Sequence, residues 1–136
     1  MKTSHSSRCE SSGLTLIEMS LVLFLLITLM ATGMFFNNKI TEWKAGRDAS
    51  EILRTVYSAQ RMYLADNPTA VVSNITTTMI IPYLPNGATV MPTVKSLTGT
   101  TLAIRVNVSP PNINNGSNGN YDPSPSTTDM LWDVGP

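Results

Sequence analysis

Residues 13–36 read GLTLIEMSLVLFLLITLMATGMFF, and this stretch decides the fold of the chain. Within residues 14–36 the only charged residue is Glu18. As a helix these residues would extend ~35 Å, against a hydrocarbon core of ~30 Å in a typical bilayer. The stretch therefore predicts a membrane-spanning helix, and it raises the question of why a carboxylate lies near its beginning.

Two common kinds of signal compete to explain this stretch. A cleaved secretory signal has an apolar core of roughly 7–15 residues followed by small residues. The small residues ATG at 31–33 fit that pattern, but the core here is longer and carries an acid. A plain signal anchor explains Glu18 as an acid in the first helical turn, where acids are favoured by roughly 0.3–1 kcal/mol. It does not explain the residues that come before Glu18.

Those residues support a third interpretation. A short polar leader containing Lys2 and Arg8 ends at Ser12 and Gly13, an apolar run follows, and the acid stands at the fifth position after the glycine. This order resembles the class III signal of type IV pilins and type II secretion pseudopilins. In that family a membrane enzyme, prepilin peptidase, cuts after the glycine and commonly methylates the new N-terminus.

The resemblance assigns roles to three residues. It implies cleavage between Gly13 and Leu14 and methylation of Leu14, although phenylalanine is commoner than leucine at that position. An acid in hydrocarbon costs about 2.5–3.5 kcal/mol on insertion scales and usually has a partner. The resemblance implies that Glu18 of one subunit meets the Leu14 amine of its neighbour in a filament. Two charges ~4 Å apart attract by about 4 kcal/mol at an effective dielectric of 20, before desolvation is subtracted. Such a pair would mainly set the axial register.

The resemblance also divides the chain and gives it partners. Residues 1–13 would be the leader, 14–36 the transmembrane and filament-core helix, and 37–136 a periplasmic or extracellular domain. The implied partners are prepilin peptidase, copies of the chain or other pilin-like subunits, and an inner-membrane assembly platform. The chain would be a single-pass protein of the inner (cytoplasmic) membrane before assembly, and part of a periplasmic or cell-surface filament afterwards.

The charges that flank the span favour the opposite orientation. Two basic residues precede the span and four follow it within residues 39–54, whereas basic residues are enriched on the cytoplasmic side. The cytoplasmic leader therefore depends on the resemblance.

The helix is predicted to continue to about Asp66, because no proline occurs before Pro68. Its second half is amphipathic. The apolar stripe comprises Ala45, Ala49, Ile52, Leu53, Val56, Tyr57, Tyr63 and Leu64, and the solvated face comprises Lys44, Arg47, Asp48, Glu51, Arg54 and Arg61. Ile40 and Trp43 lie off the stripe, and Trp43 suits either a membrane interface or a contact between subunits.

The second half of the chain predicts a small antiparallel sheet. LAIRVNV at 102–108 alternates cleanly and is the best candidate strand. ATVMPTV at 88–94 would pair with it through the turn at Thr98 and Gly99, and Pro92 would restrict that strand to an edge. MLWDV at 130–134 would add a short third strand. Before the sheet, residues 73–87 predict a short helix or turn capped near Ser73 or Asn74.

Residues 111–129 are rich in asparagine, glycine, serine and proline and have neither a helix nor a strand period, so they predict a loop. It is either a plain exposed loop or a surface that contacts neighbours or cargo. Asp122, Asp129 and Asp133 lie in or just after it. Some pseudopilins bind calcium in C-terminal loops, and carboxylate oxygens suit that ion, but the spacing of these three aspartates matches no ligand pattern.

The residue types exclude most enzyme chemistry. After Gly13 there is neither histidine nor cysteine, so the usual general base, thiolate nucleophile and imidazole metal ligands are missing. No phosphate-binding glycine loop occurs, and a net charge of zero indicates no nucleic-acid partner. We expect no catalytic residues and no cofactor.

The sequence thus predicts an α+β, pilin-like fold in which one long N-terminal helix packs on a small antiparallel sheet. The expected function is that of a structural filament subunit. A chain without cysteine after Gly13 cannot close the C-terminal disulfide common in major pilins, which favours a pseudopilin or minor pilin. The alternative is a single-pass membrane-anchored binding domain whose leader is not removed.

Overall fold

A computed structural model describes residues 15–136, and the chain divides into two compact units between Asn38 and Lys39. One long helix, α1 (Leu16–Asp66), contributes to both units. The second unit adds a short helix and a three-stranded sheet: α2 (Thr77–Ile80), β1 (Thr93–Lys95), β2 (Thr101–Arg105) and β3 (Asn112–Ile113). The structure confirms the predicted α+β class, with a long apolar N-terminal helix and a small antiparallel sheet.

The second half of α1 buries one face against the rest of the second unit. The predicted stripe is confirmed: Ala49, Leu53 and Val56 are almost fully buried, and its other members are partly buried. The predicted solvated residues are all exposed. The stripe also includes small and polar residues that the apolar period did not select: Gly46, Ser50, Ala59 and Gln60. Close packing favours small side chains at Gly46, Ser50 and Ala59, whereas Gln60 is held by hydrogen bonds to two backbone carbonyls.

The sheet has the strand order β1-β2-β3, and both pairs are antiparallel. β1 is an edge strand, as predicted, but the predicted strand is wrong at residues 88–92, which lie outside it. Proline has no N–H to donate to a strand ladder, and pairing begins directly after Pro92. The turn between β1 and β2 places Gly99 at φ +83°, a conformation that glycine adopts without a steric penalty. In β2 and the residues after it, Ile104 and Val106 face the core. The alternation predicted for 102–108 is therefore confirmed, although the strand itself ends at Arg105.

The predicted third strand is wrong. β3 is formed by Asn112 and Ile113, which pair with Arg105 and Ile104. Residues 130–134 form turns, because Met130 and Trp132 have φ near +64° and +65°, which is incompatible with a strand. A strand of two residues is too short to show an alternating period in the sequence.

The predicted loop at 111–129 is therefore partly ordered by pairing. Besides β3, an antiparallel bridge joins Asn114 and Asn120. The Asn115 side-chain oxygen accepts hydrogen bonds from the backbone N–H groups of Ser117 and Gly119, at 2.8 and 3.0 Å. The asparagines of this segment thus stabilise its turns in the manner common for Asx residues.

The segment between α1 and the sheet closes one side of the core. It consists of α2 and three short 3₁₀ turns, Val72–Asn74, Ile81–Tyr83 and Pro85–Gly87. The predicted cap at Ser73 or Asn74 is wrong, because Thr76 precedes α2. Ile75, Ile80 and Leu84 are buried in the common core. Residues 75–84 therefore serve mainly to cover the apolar stripe.

Candidate functional site

The predicted site lies at the beginning of the chain, and the structure describes part of it. Gly13 and Leu14 lie outside the described residues. Glu18 lies in the first turn of α1, directly beside Thr15. The Thr15 backbone N–H donates to Glu18 Oε2 at 3.3 Å, and the Glu18 backbone N–H donates to Thr15 Oγ1 at 3.3 Å. This reciprocal arrangement is a capping box, which satisfies two N–H groups that a helix start otherwise leaves unpaired.

The capping box changes the interpretation of Glu18. Its position is explained by the helix start alone, both through these hydrogen bonds and through the favourable field at a helix N-terminus. The signal was present in the sequence as the pattern Thr15-x-x-Glu18. The box uses only residues after Leu14, so cleavage after Gly13 would leave both of its members in the chain. Capping and pairing with an amine are therefore compatible roles.

Residues 16–36 form an apolar helix that is exposed on every side. The large apolar side chains of residues 16–36 range from 45% exposed at Val22 to 93% exposed at Leu16. This helix is long and apolar enough to cross a membrane. None of its most apolar 18-residue stretch is buried against the other described residues. A helix that is apolar all round requires a membrane or other apolar helices to cover it.

The hydroxyl groups of this segment are satisfied within the helix. Ser20 Oγ donates to the Ile17 carbonyl at 2.8 Å, and Thr28 Oγ1 donates to the Leu25 carbonyl at 2.8 Å. Thr32 Oγ1 lies 2.9 Å from the carbonyl oxygens of both Thr28 and Leu29. Because these hydroxyls bond to the preceding turn, they do not require a partner in hydrocarbon.

Each of the three C-terminal aspartates accepts a hydrogen bond from a backbone N–H two residues along the chain. Each carboxylate caps a local turn: Asp122 Oδ1 accepts from the Ser124 N–H at 3.0 Å, Asp129 Oδ1 from the Leu131 N–H at 3.0 Å, and Asp133 Oδ1 from the Gly135 N–H at 2.5 Å. Within residues 15–136, no group of three or more potential ligand residues is arranged to hold a metal ion. These aspartates therefore have a structural role in the tail.

The carboxyl group of Asp133 has a raised pKa. Its burial raises the pKa above the ordinary value of 3.8, and the neighbouring charges of Asp129 and Asp122 raise it further. The hydrogen bond from the Gly135 N–H acts in the opposite direction because it stabilises the carboxylate. Among residues 15–136, its second oxygen, Oδ2, is buried and has no hydrogen-bond partner. Burial therefore outweighs the turn hydrogen bond.

Two contacts that join the tail and the sheet to α1 were missed by the sequence analysis. Gln60 is fully buried, and its Nε2 donates to the carbonyl oxygens of Val106 and Val108 at 2.7 and 2.8 Å. The Trp132 backbone N–H donates to the Gly46 carbonyl at 3.1 Å. A polar residue on the apolar stripe gave no sequence signal, because its partners are backbone groups distant along the chain.

No protein-family model, no curated protein and no solved structure matches this chain.

Proposed function

We propose that the chain is a structural subunit of a type IV pilus-like filament, and specifically a pseudopilin or minor pilin of a type II secretion-like system. It is inserted through its apolar helix, cleaved after Gly13 by prepilin peptidase, and assembled with copies of itself or with other pilin-like subunits. An inner-membrane platform directs the assembly.

One observation carries this proposal: Glu18, five positions after Gly13, lies in the first turn of a helix whose residues 16–36 are apolar and exposed on every side. An isolated subunit leaves this surface without a protein partner, so it requires lipid before assembly and neighbouring apolar helices afterwards. The amphipathic continuation of the same helix, covered by a small antiparallel sheet, supports the proposal because pilin-like proteins combine a long helix and a sheet in this way.

The experiment that tests the proposal measures the N-terminus. The full chain is expressed with and without a prepilin peptidase, and the membrane-extracted protein is analysed by intact-mass spectrometry. We expect an N-terminus at Leu14, methylated or unmethylated, only when the peptidase is present. Gly13→Leu should block processing, because the proposed cut follows this glycine directly, whereas Ser11→Leu should be processed normally. An N-terminus that stays at Met1 in the presence of the peptidase would refute the proposal.

The Thr15–Glu18 capping box is equally compatible with a second function. The box accounts for the acid without any filament, so the chain could also be a single-pass membrane-anchored binding domain with an uncleaved leader. The same mass measurement separates the two functions, since this alternative requires that residues 1–13 stay attached.

A further inference from the structure

Three asparagines in this chain are followed directly by glycine: Asn86, Asn115 and Asn118. In such a pair the backbone nitrogen of the glycine can attack the side-chain amide carbon of the asparagine and close a cyclic imide. Glycine has no side chain that hinders this attack and its backbone rotates freely, so Asn-Gly pairs are especially labile. The three pairs have the same local chemistry, and only the structure around them differs.

The Asn115–Gly116 pair is held by hydrogen bonds on both of its reacting groups. The Gly116 N–H donates to Asn114 Oδ1 at 3.0 Å. Asn115 Oδ1 accepts from the backbone N–H groups of Ser117 and Gly119, at 2.8 and 3.0 Å. Closing a ring at Asn115 requires its side chain to rotate toward the Gly116 nitrogen, so these bonds would have to break first.

The attacking nitrogen of the Asn118–Gly119 pair is also engaged. Its hydrogen is the one that Gly119 donates to Asn115 Oδ1. The Asn118 carbonyl oxygen accepts a hydrogen bond from Arg105 Nη1, which ties this turn to β2. The turn is also tightly packed, because a Cβ added at Gly119 would collide with the Asn115 side chain. Rotation within this pair is therefore restricted.

The Asn86–Gly87 pair lies in an exposed turn between α2 and β1. Apart from the chain neighbours, no atom lies within 4 Å of the position that a Cβ on Gly87 would take. Among residues 15–136, no side chain accepts the Gly87 N–H, and the Asn86 amide makes no hydrogen bond. The Asn86 side chain is therefore free to rotate toward the Gly87 nitrogen.

We propose that Asn86 is a site of spontaneous deamidation in the folded chain, and that hydrogen bonds protect Asn115 and Asn118. The Gly87 nitrogen attacks Asn86 Cγ, the Cγ–Nδ2 bond breaks, and ammonia leaves with the proton that the Gly87 nitrogen loses. Water then opens the cyclic imide by adding its hydroxyl to one carbonyl carbon and a hydrogen to the nitrogen. The product is aspartate or isoaspartate, depending on which carbonyl is attacked. The inference does not depend on leader cleavage, membrane insertion or filament formation.

The reaction changes both the charge and the backbone of the turn. A carboxylate replaces a neutral amide, so a chain of zero net charge becomes negative. Isoaspartate also inserts a methylene into the main chain, close to the buried Leu84. Because the released ammonia does not return, the modified fraction increases with the age of the folded chain.

The test compares the three asparagines within one folded chain, purified in detergent and incubated at mildly alkaline pH. Trypsin cuts after Lys95 and Arg105, so Asn86 lies on a different peptide from the other two. Mass spectrometry with peptide fragmentation measures aspartate and isoaspartate at each position. A sample taken before incubation gives the background from digestion, and the same chain incubated in urea gives the rates without folded structure.

We expect Asn86 to deamidate at least about fivefold faster than Asn115 or Asn118 in the folded chain, the factor by which one ordinary hydrogen bond slows a reaction that must break it. In urea the three rates should converge. Asn115→Ala removes the acceptor of the Gly119 N–H, so it should speed the reaction at Asn118 and leave that at Asn86 unchanged.

Three results would overturn the inference. The first is an Asn86 that stays intact or reacts no faster than the other two asparagines in the folded chain. The second is an unchanged rate at Asn118 in Asn115→Ala, because the hydrogen bond would then give no protection. The third is a difference among the three rates that persists in urea, because local sequence alone would then explain it.

Discussion

At the scale of single residues, Glu18 has two separable properties. Its side chain completes a capping box with Thr15, and its charge is available to an amine in an assembled filament. The first property is a local hydrogen-bond pattern that glutamine also satisfies. The second requires a negative charge. Substitutions that keep one property and remove the other therefore separate the two roles.

Glu18→Gln keeps the capping box and removes the charge, while Glu18→Val removes both. If Glu18 pairs with the Leu14 amine, both variants should still be inserted and cleaved, and both should enter filaments at least about tenfold less than the native chain, a loss of about 1.4 kcal/mol per subunit contact. The amount of subunit in sheared filaments, measured by immunoblotting, gives the result. Normal assembly of Glu18→Gln together with failure of Glu18→Val would show that capping alone matters.

At the scale of elements, α1 is held against the tail through Gly46. The Gly46 carbonyl accepts the Trp132 N–H, and the Trp132 ring packs edge-to-face on Tyr121 with a centroid distance of 5.3 Å. Arg54 Nε also donates to the Val134 carbonyl at 3.0 Å. The tail therefore adds a buried aromatic residue to the core rather than a strand to the sheet.

Gly46→Ala should destabilise the second unit. An added Cβ would lie 2.9 Å from Trp132 Nε1 and 3.2 Å from the Leu131 side chain, so the tail must shift. Overpacking of this kind costs about 1–3 kcal/mol. Gly33→Ala is the matched control, because a Cβ there has nothing within 4 Å. Thermal unfolding of the full chain in detergent, followed by near-UV circular dichroism, should show a lower Tm for Gly46→Ala only. Equal Tm values would contradict the packing described for Trp132.

At the scale of the whole molecule, Asp133 links stability to pH. Its raised pKa means that the folded chain holds the proton more tightly than the unfolded chain does. Protonated Asp133 therefore contributes fully to the free energy of unfolding below the ordinary pKa of 3.8. This contribution is lost as the pH rises through the raised pKa that Asp133 has in the folded chain.

Asp133→Asn should flatten this dependence, because the amide does not ionise. We expect the Tm of the native chain to fall relative to that of Asp133→Asn as the pH is raised from about 4. The Asn oxygen can still accept the Gly135 N–H. Asp48→Asn, at an exposed position of α1, should keep the native pH dependence. Parallel pH profiles for the native chain and Asp133→Asn would show that burial of this carboxyl does not affect folding.

The sequence by itself determined the long helix, its apolar and amphipathic halves, the edge position of the first strand and the alternation at 102–108. These features are local: periodicity, the distribution of proline and the absence of charge each act through residues close along the chain. The pattern Thr15-x-x-Glu18 was equally local, and it was readable as a capping box.

Only the tertiary structure decided the conformation of the C-terminal tail and the contacts that hold the sheet against α1. The strand at Asn112–Ile113 pairs with nearby residues, but its two residues are too few to show a period. The burial of Trp132 beside Gly46 and the bonds from Gln60 to the Val106 and Val108 carbonyls join groups far apart in sequence. Such contacts leave no period in the sequence, because each depends on the space and the unpaired backbone groups that other elements leave. The tail therefore has the composition of a loop, yet it completes the core.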